Sequence, residues 1–230
     1  MTTCFSSIAL LGGTFNPPHY GHIQPAIAAI EIIGAEKLGL MPCKVPPHKQ
    51  LAEVNQTHRV KMTELACSVD PRLYTELCEL SLPAPSYSVK TFQALRALYP
   101  QTALLFLMGE DSFYHLTSWY KWQMLTDYCH IVVMRRKGCK PPLPVEQKKW
   151  LQNSYSEVEC GKFESISGNV YLVDTPYFTV SSTLIRQELA NYFHAGPVAA
   201  KEIEHKIIKW LPPQVFDYIK ANRLYDAVIT

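Results

Sequence analysis

Two histidines, His19 and His22, stand three residues apart behind the pair Gly12–Gly13, in the run "GGTFNPPHYGH". Residues three apart on a helical turn share a face, so a helix starting near Tyr20 or Gly21 presents both imidazoles together. The glycines let the backbone N–H groups of Gly12, Gly13, Thr14 and Phe15 approach a ligand closely. The first turn of the helix adds free N–H groups and the positive end of its dipole. Each part favours an anion, and phosphate suits all of them. The run is neither a Walker loop, since G-K-[ST] is missing, nor the G-x-G-x-x-G of a dinucleotide fold.

Further along, "VSSTLIRQEL" places three hydroxyls, Ser181, Ser182 and Thr183, where a helix is capped. Arg186 follows a turn later, within reach of an anion at that terminus; taken alone, the string equally describes a capped surface helix. "MGEDS" puts Gly109 and Asp111 after an apolar run, where the carboxylate bonds a ribose, orients a metal-bound phosphate or caps the next helix. "VPPHK" offers His48 and Lys49, or else a rigid Pro-Pro loop. The aromatics of "PSYS" (Tyr87, beside Ser88) and "SWYKW" (Trp119, Tyr120) serve as core or as a stacking surface for a flat ring.

The elements that must position these residues alternate. Strands are expected at 6–13, 37–43, 73–80, 103–111, 130–136 and 170–175. Helices are expected at 21–36, 57–69 (Thr57 as cap; Val60, Leu65 and Val69 inward), 86–100, 118–129, 181–193 and 213–225. A loop with one short helix fills 138–169, and 197–212 reads as a helical insertion. Residues 103–111 are apolar on both faces, the mark of a central parallel strand. The pattern predicts a Rossmann-like, doubly wound α/β parallel sheet with helices on both faces. It forms one domain over 1–230 with a small helical part from about 181. Ligands of such folds bind beyond the carboxyl ends of the strands, which is where the candidate residues fall.

The chain is 47% hydrophobic and 18% charged, with a net charge of +2 and no dense basic run. A nucleic-acid-binding face is therefore not expected. The seven cysteines are scattered without a C-x-x-C pair, so neither a disulfide framework nor a metal site is expected. With no secretory leader pattern and no long apolar run, the expectation is a cytoplasmic protein that stays off membranes.

"GGTFNPPHYGH" resembles the G-x-F-x-P-x-H-x-G-H signature of the nucleotidyltransferase superfamily, and "SSTLIR" its second signature, I-S-S-T-x-I-R, with Val180 in place of isoleucine. With "VPPHK", "PSYSVKTF", "FLMGEDSF", "SWYKW" and "HIVVMRR" in order, the chain from about Leu10 to Tyr225 is similar to the bacterial nicotinate-nucleotide adenylyltransferase family. Residues 139–168 and 197–210 match poorly. The resemblance implies adenylyl transfer from ATP, accompanied by Mg²⁺, to nicotinate mononucleotide, a step of NAD biosynthesis. It implies that His19, His22 and Arg186 are catalytic and that Gly12, Gly13, Thr14, Phe15, Lys49, Gly109, Ser181, Ser182 and Thr183 hold ATP. His48, Tyr87, Ser88, Asp111, Trp119, Tyr120 and Arg135 would hold the mononucleotide, Trp119 stacking on its ring and backbone N–H groups near Ser88 and Tyr120 meeting its carboxylate. A homo-oligomer is compatible with this reading.

Overall fold

The computed structural model of the chain describes residues 4–44, 54–135 and 142–226. At its centre lie six parallel strands: β1 (Ser7–Gly13), β2 (Lys37–Pro42), β3 (Leu73–Thr75), β4 (Ala103–Gly109), β5 (His130–Arg135) and β6 (Val170–Asp174). Their order is β3-β2-β1-β4-β5-β6, with Leu10 opposite Gly39 on one side and Phe106 on the other. Chain order reverses between β1 and β4, so the loops after these two strands open a crevice at their carboxyl ends.

Strand side chains alternate between two apolar layers, as the period of two demands. Ala9, Leu11, Leu105, Leu107 and Val132 join one core, with α1 (Tyr20–Ile33), α2 (Gln56–Ala66), α8 (Ser182–His194) and α10 (Pro213–Ala221). Leu10, Leu104, Phe106, Ile131 and Val133 join the other, beneath α4 (Ser88–Leu98), α6 (Leu125–Tyr128) and α7 (Val145–Ser154). The remaining short helices are α3 (Cys78–Ser81) and α5 (Glu110–Tyr114), and α9 (Pro197–Ile207) packs on α8. α1 stops at Gly34, whose φ of +74° is the left-handed conformation of a helix C-cap; a Cβ there would collide with the backbone nitrogen of Gly161.

Several expected elements are corrected. The strand expected at 73–80 ends at Thr75, because the chain turns to bury the Glu79 carboxylate, which accepts the Lys44 N–H at 3.0 Å and the Ser86 hydroxyl at 2.6 Å. The strand expected at 103–111 ends at Gly109, and Gly109, not Asp111, caps α5. The helix expected at 118–129 is broken at Lys121, whose φ of +50° lies in the left-handed region; a 3-10 turn, Trp122–Met124, and then α6 follow. α2 is capped by Asn55 rather than Thr57, its side chain accepting the His58 N–H at 3.0 Å. Its fully buried positions are Arg59, Met62, Thr63 and Ala66; Leu65 and, just beyond the helix, Val69 pack half-buried against the same core as expected, while the inward position expected of Val60 is only half-buried. The last helix ends at Ala221. Among the described residues, no helix is long and apolar enough to cross a membrane.

Candidate functional site

β1 releases the chain into Thr14 and Phe15, the latter at φ +47°. His19 takes up the extended N-cap conformation before α1 with no side chain capping the helix; the first-turn N–H groups of Tyr20 and His22 are held by the Trp210 and His19 carbonyls, so the positive end of the helix and the two imidazoles are what it offers an anion. The two imidazoles stack, their centroids 3.7 Å apart and their planes 27° from parallel, and the Phe15 ring stands edge-on to His22 at 5.4 Å. Burial lowers His22 to about 4; it lowers His19 further, to about 2, with the neighbouring His22 adding to the effect. Both rings are therefore neutral near pH 7 before an anion arrives.

Gly21 makes the stack fit. A Cβ there would meet Val180 Cγ1 at 2.8 Å and the His19 ring at 3.0 Å, so the loop before α8 leans directly on the histidine turn. The α8 hydroxyls are engaged in that junction. Ser181 caps the helix by accepting the Leu184 N–H at 3.2 Å, Ser182 donates to the Pro17 carbonyl at 3.1 Å, and Thr183 accepts from Arg186 at 3.2 Å. The Arg186 guanidinium also donates to the Asn16 carbonyl at 2.9 Å. From α2, Arg59, only 2% exposed, donates to the carbonyls of Thr14 (2.9 Å) and Cys43 (3.0 Å). The Tyr225 hydroxyl donates to Asn16 Oδ1 at 2.6 Å, and Tyr20 N–H to the Trp210 carbonyl at 2.8 Å.

Among the described residues, four buried nitrogens around this loop have no partner: Nδ1 of His19, Nδ1 of His22, Nε of Arg59 and Nε of Arg186. Buried polar atoms are ordinarily paired, so such a cluster marks a place prepared for a polar ligand. Imidazole, guanidinium and backbone N–H suit phosphate oxygens. Among the described residues no three His, Cys, Asp or Glu side chains group as a metal site, and this donor set does not match the oxygen ligands magnesium requires.

Across β1 and β4 lies a cavity of about 240 Å³ lined by Ser86, Tyr87, Ser88, Val89, Ser118, Trp119, Tyr120 and Leu125. The Tyr87 and Tyr120 rings face each other at 4.5 Å. α4 starts at its rim with no side-chain cap on Tyr87, leaving first-turn N–H groups for a second anion. Trp119 lies 6.2 Å from Phe106 of β4, and a Cβ on Gly12 would meet that same Phe106 at 3.8 Å; β4 thus separates the two halves of the site. Glu79 ties the Ser86 side of the cavity to the end of β2.

The structure therefore brings together Gly12, Gly13, Thr14, Phe15, His19, His22, Ser181, Ser182, Thr183 and Arg186 in one cluster, and Tyr87, Ser88, Trp119 and Tyr120 in another. Gly109 ends β4 between them and Asp111 lies in the first turn of α5. Arg135 stands apart at the ends of β5 and β6, paired with Asp174 through contacts of 2.9 and 3.0 Å. His48 and Lys49 lie outside the described residues. Sequence reasoning missed Asn16, Arg59, Glu79 and Tyr225. Only Arg59 left a signal, occupying the i position of an i, i+3, i+4, i+7 stripe with Met62, Thr63 and Ala66.

Comparisons with known proteins give the family and the fold. The model of the cytidylyltransferase-like family matches residues 10–188. The chain is 35% identical to a probable nicotinate-nucleotide adenylyltransferase of Pseudoalteromonas atlantica, covering 97% of each chain. It is 36% identical to one of Pectobacterium atrosepticum, over 96% of this chain and 99% of that one. Among solved structures, it is similar in fold to the Plasmodium falciparum nicotinic acid mononucleotide adenylyltransferase complexed with APC (TM-score 0.67, 18% identity, 96% and 98% of the two chains). The same enzyme complexed with NaAD gives a TM-score of 0.66 over the same coverage.

Proposed function

The chain belongs to the cytidylyltransferase-like family and, within it, to the nicotinate-nucleotide adenylyltransferases, and from that premise we infer how its residues divide the reaction. The reaction is adenylyl transfer from ATP to nicotinate mononucleotide, giving nicotinate adenine dinucleotide and pyrophosphate in NAD biosynthesis. A phosphate oxygen of the mononucleotide forms a bond to the α-phosphorus of ATP while the bond from that phosphorus to the β-phosphate oxygen breaks. Neither step needs a protein nucleophile, so the protein acts by positioning and by stabilising charge.

The observation that carries the assignment of roles is the cluster of unpartnered nitrogens on His19, His22, Arg59 and Arg186 beside the uncapped start of α1. There the triphosphate receives N–H donors from both imidazoles, from the loop after β1 and from Arg186. Charge develops on the departing pyrophosphate, and these groups meet it without having to reorganise. Arg59 neutralises the loop from behind, and Ser181 to Thr183 hold Arg186 and the loop together. Mg²⁺ accompanying ATP would supply charge neutralisation on the triphosphate; among the described residues no group of three His, Cys, Asp or Glu side chains stands ready to hold it.

The acceptor occupies the aromatic cavity, its ring between Trp119 and Tyr120 and its carboxylate at the uncapped start of α4 near Ser88. Neutral N–H donors there bind a carboxylate and gain less from an uncharged amide, which favours the acid. Asp111 contributes to the ribose side. The protein works in the cytoplasm as a single nucleotidyltransferase domain. Pyrophosphate release from ATP and Mg²⁺ is measured with nicotinate mononucleotide and, in parallel, with nicotinamide mononucleotide. Release favouring the acid by about ten-fold or more is expected. Equal rates would remove the carboxylate role of the α4 terminus, and no release with either would overturn the reaction.

A further inference from the structure

The chain spends its last described turn on an unusual manoeuvre. After α10 it passes through left-handed conformations at Arg223 (φ +48°) and Tyr225 (φ +67°), which L-residues adopt at a cost. The result is a Tyr225 side chain 3% exposed beneath the histidine loop. Its hydroxyl meets Asn16 Oδ1 at 2.6 Å, a contact spanning 209 residues of sequence. Asn16, itself 4% exposed, is a hub: its amide oxygen accepts from Tyr225, and its backbone carbonyl accepts from the Arg186 guanidinium at 2.9 Å. Thr183 holds the other arm of that guanidinium. We infer that Tyr225 is a positioning residue for the adenylyl transfer, fixing Asn16 so that the Asn16 carbonyl aims Arg186 at the triphosphate.

This rests on the role of Arg186 proposed above. The physical ground is that Asn16 Oδ1 is a buried acceptor. Removing its donor leaves it unpaired, and an amide in that state reorients. Its backbone is one residue from Phe15 and is held to Arg186, so the displacement is transmitted to the guanidinium rather than to the aromatic cavity beyond β4. Neither Asn16 nor Tyr225 lines the Trp119 cavity.

The test is Tyr225→Phe, which keeps the ring and removes the hydroxyl. Its control is Tyr218→Phe, which removes a comparable hydrogen bond, 2.8 Å to His58 Nδ1, from the α2–α10 interface without touching the loop. Expected for Tyr225→Phe is a loss of about ten-fold in kcat/KM for ATP, with the KM for the mononucleotide changed by less than about two-fold. Tyr218→Phe should show a similar shift in melting temperature and wild-type kinetics. In an Arg186→Lys background, Tyr225→Phe should have little further effect, because the residue it acts through has changed.

Wild-type kinetics in Tyr225→Phe, equal losses toward both substrates, or full additivity with Arg186→Lys would each overturn the inference. If the wild-type protein releases no pyrophosphate, the functional reading fails separately. Calorimetric binding of ATP to the same variants then decides the inference alone: weaker binding only in Tyr225→Phe sustains it, and unchanged binding overturns it.

Discussion

A methyl group at position 21 would lie 2.8 Å from Val180 Cγ1 and 3.0 Å from the His19 ring. The valine can give way by rotating, but the imidazole is already stacked on His22 at 3.7 Å and has nowhere to move without leaving the stack. Gly21→Ala is therefore expected to lower turnover by about 10²-fold, the scale of loss for a displacement of about 1 Å at a reacting centre. Its melting temperature should fall by only a few degrees. Pyrophosphate release and a thermal melt check both, and an active Gly21→Ala would show that the position of His19 does not matter. At this scale the sequence was legible where chemistry is local: the spacing of His19 and His22 alone predicted their shared face. It gave Arg59 only a place in a helical stripe and was silent on Tyr225; their partners Thr14 and Asn16 are reached only through the tertiary fold, and arginine on a helix ordinarily reads as solvent-facing.

Lys121 illustrates what periodicity cannot see at the scale of elements. The apolar spacing of residues 118–129 fits one helix, yet a single left-handed residue breaks it and turns Trp119 and Tyr120 toward the cavity while Trp122 packs against Trp150 at 5.0 Å. The short β3 has the same origin, since burying Glu79 against Lys44 and Ser86 overrides strand propensity. The cavity wall thus exists because two elements stop early. Trp119→Ala is expected to raise the KM for the mononucleotide by about ten-fold, the scale of losing one ring-stacking contact. The KM for ATP should stay within about two-fold, because the histidine loop lies across β4. Steady-state titration of each substrate checks this. Equal increases in both constants would mean that Trp119 only supports the core beside Phe106.

The whole molecule was the most legible scale, because alternating strands and helices admit few topologies, and the observed order puts both halves of the site at the reversal between β1 and β4. What the pattern does not show is how the opposite end of the sheet is held. There His130 is fully buried at the start of β5; its Nε2 donates to the Ser165 carbonyl at 2.9 Å and its Nδ1 accepts the Asn169 N–H at 3.1 Å. The Phe163 and Tyr171 rings face it, and the Arg96 guanidinium is the nearby charge. A protonated ring would lose the Asn169 bond, and burial holds the group down at about 4 against 6.5 in the unfolded chain, with Arg96 lowering it further and the Ser165 bond opposing.

Between those values the unfolded chain binds the proton and the folded chain does not, so this contribution to stability is fully present above about pH 6.5 and is lost as the pH falls toward 4. At pH 5 the loss is about 2 kcal/mol, or roughly 4–8 °C in melting temperature for a chain of this size. His19 and His22, also lowered by burial, act in the same direction in the wild type and in any His130 variant, as does Asp70, whose carboxyl the Arg72 guanidinium holds below its usual range. His130→Gln keeps an N–H for Ser165 and cannot titrate. The difference in melting temperature between pH 7 and pH 5 should therefore be smaller in His130→Gln by that roughly 4–8 °C, whatever the variant's absolute stability. Parallel melting curves across that range would mean that the folded protein accommodates the His130 proton without cost.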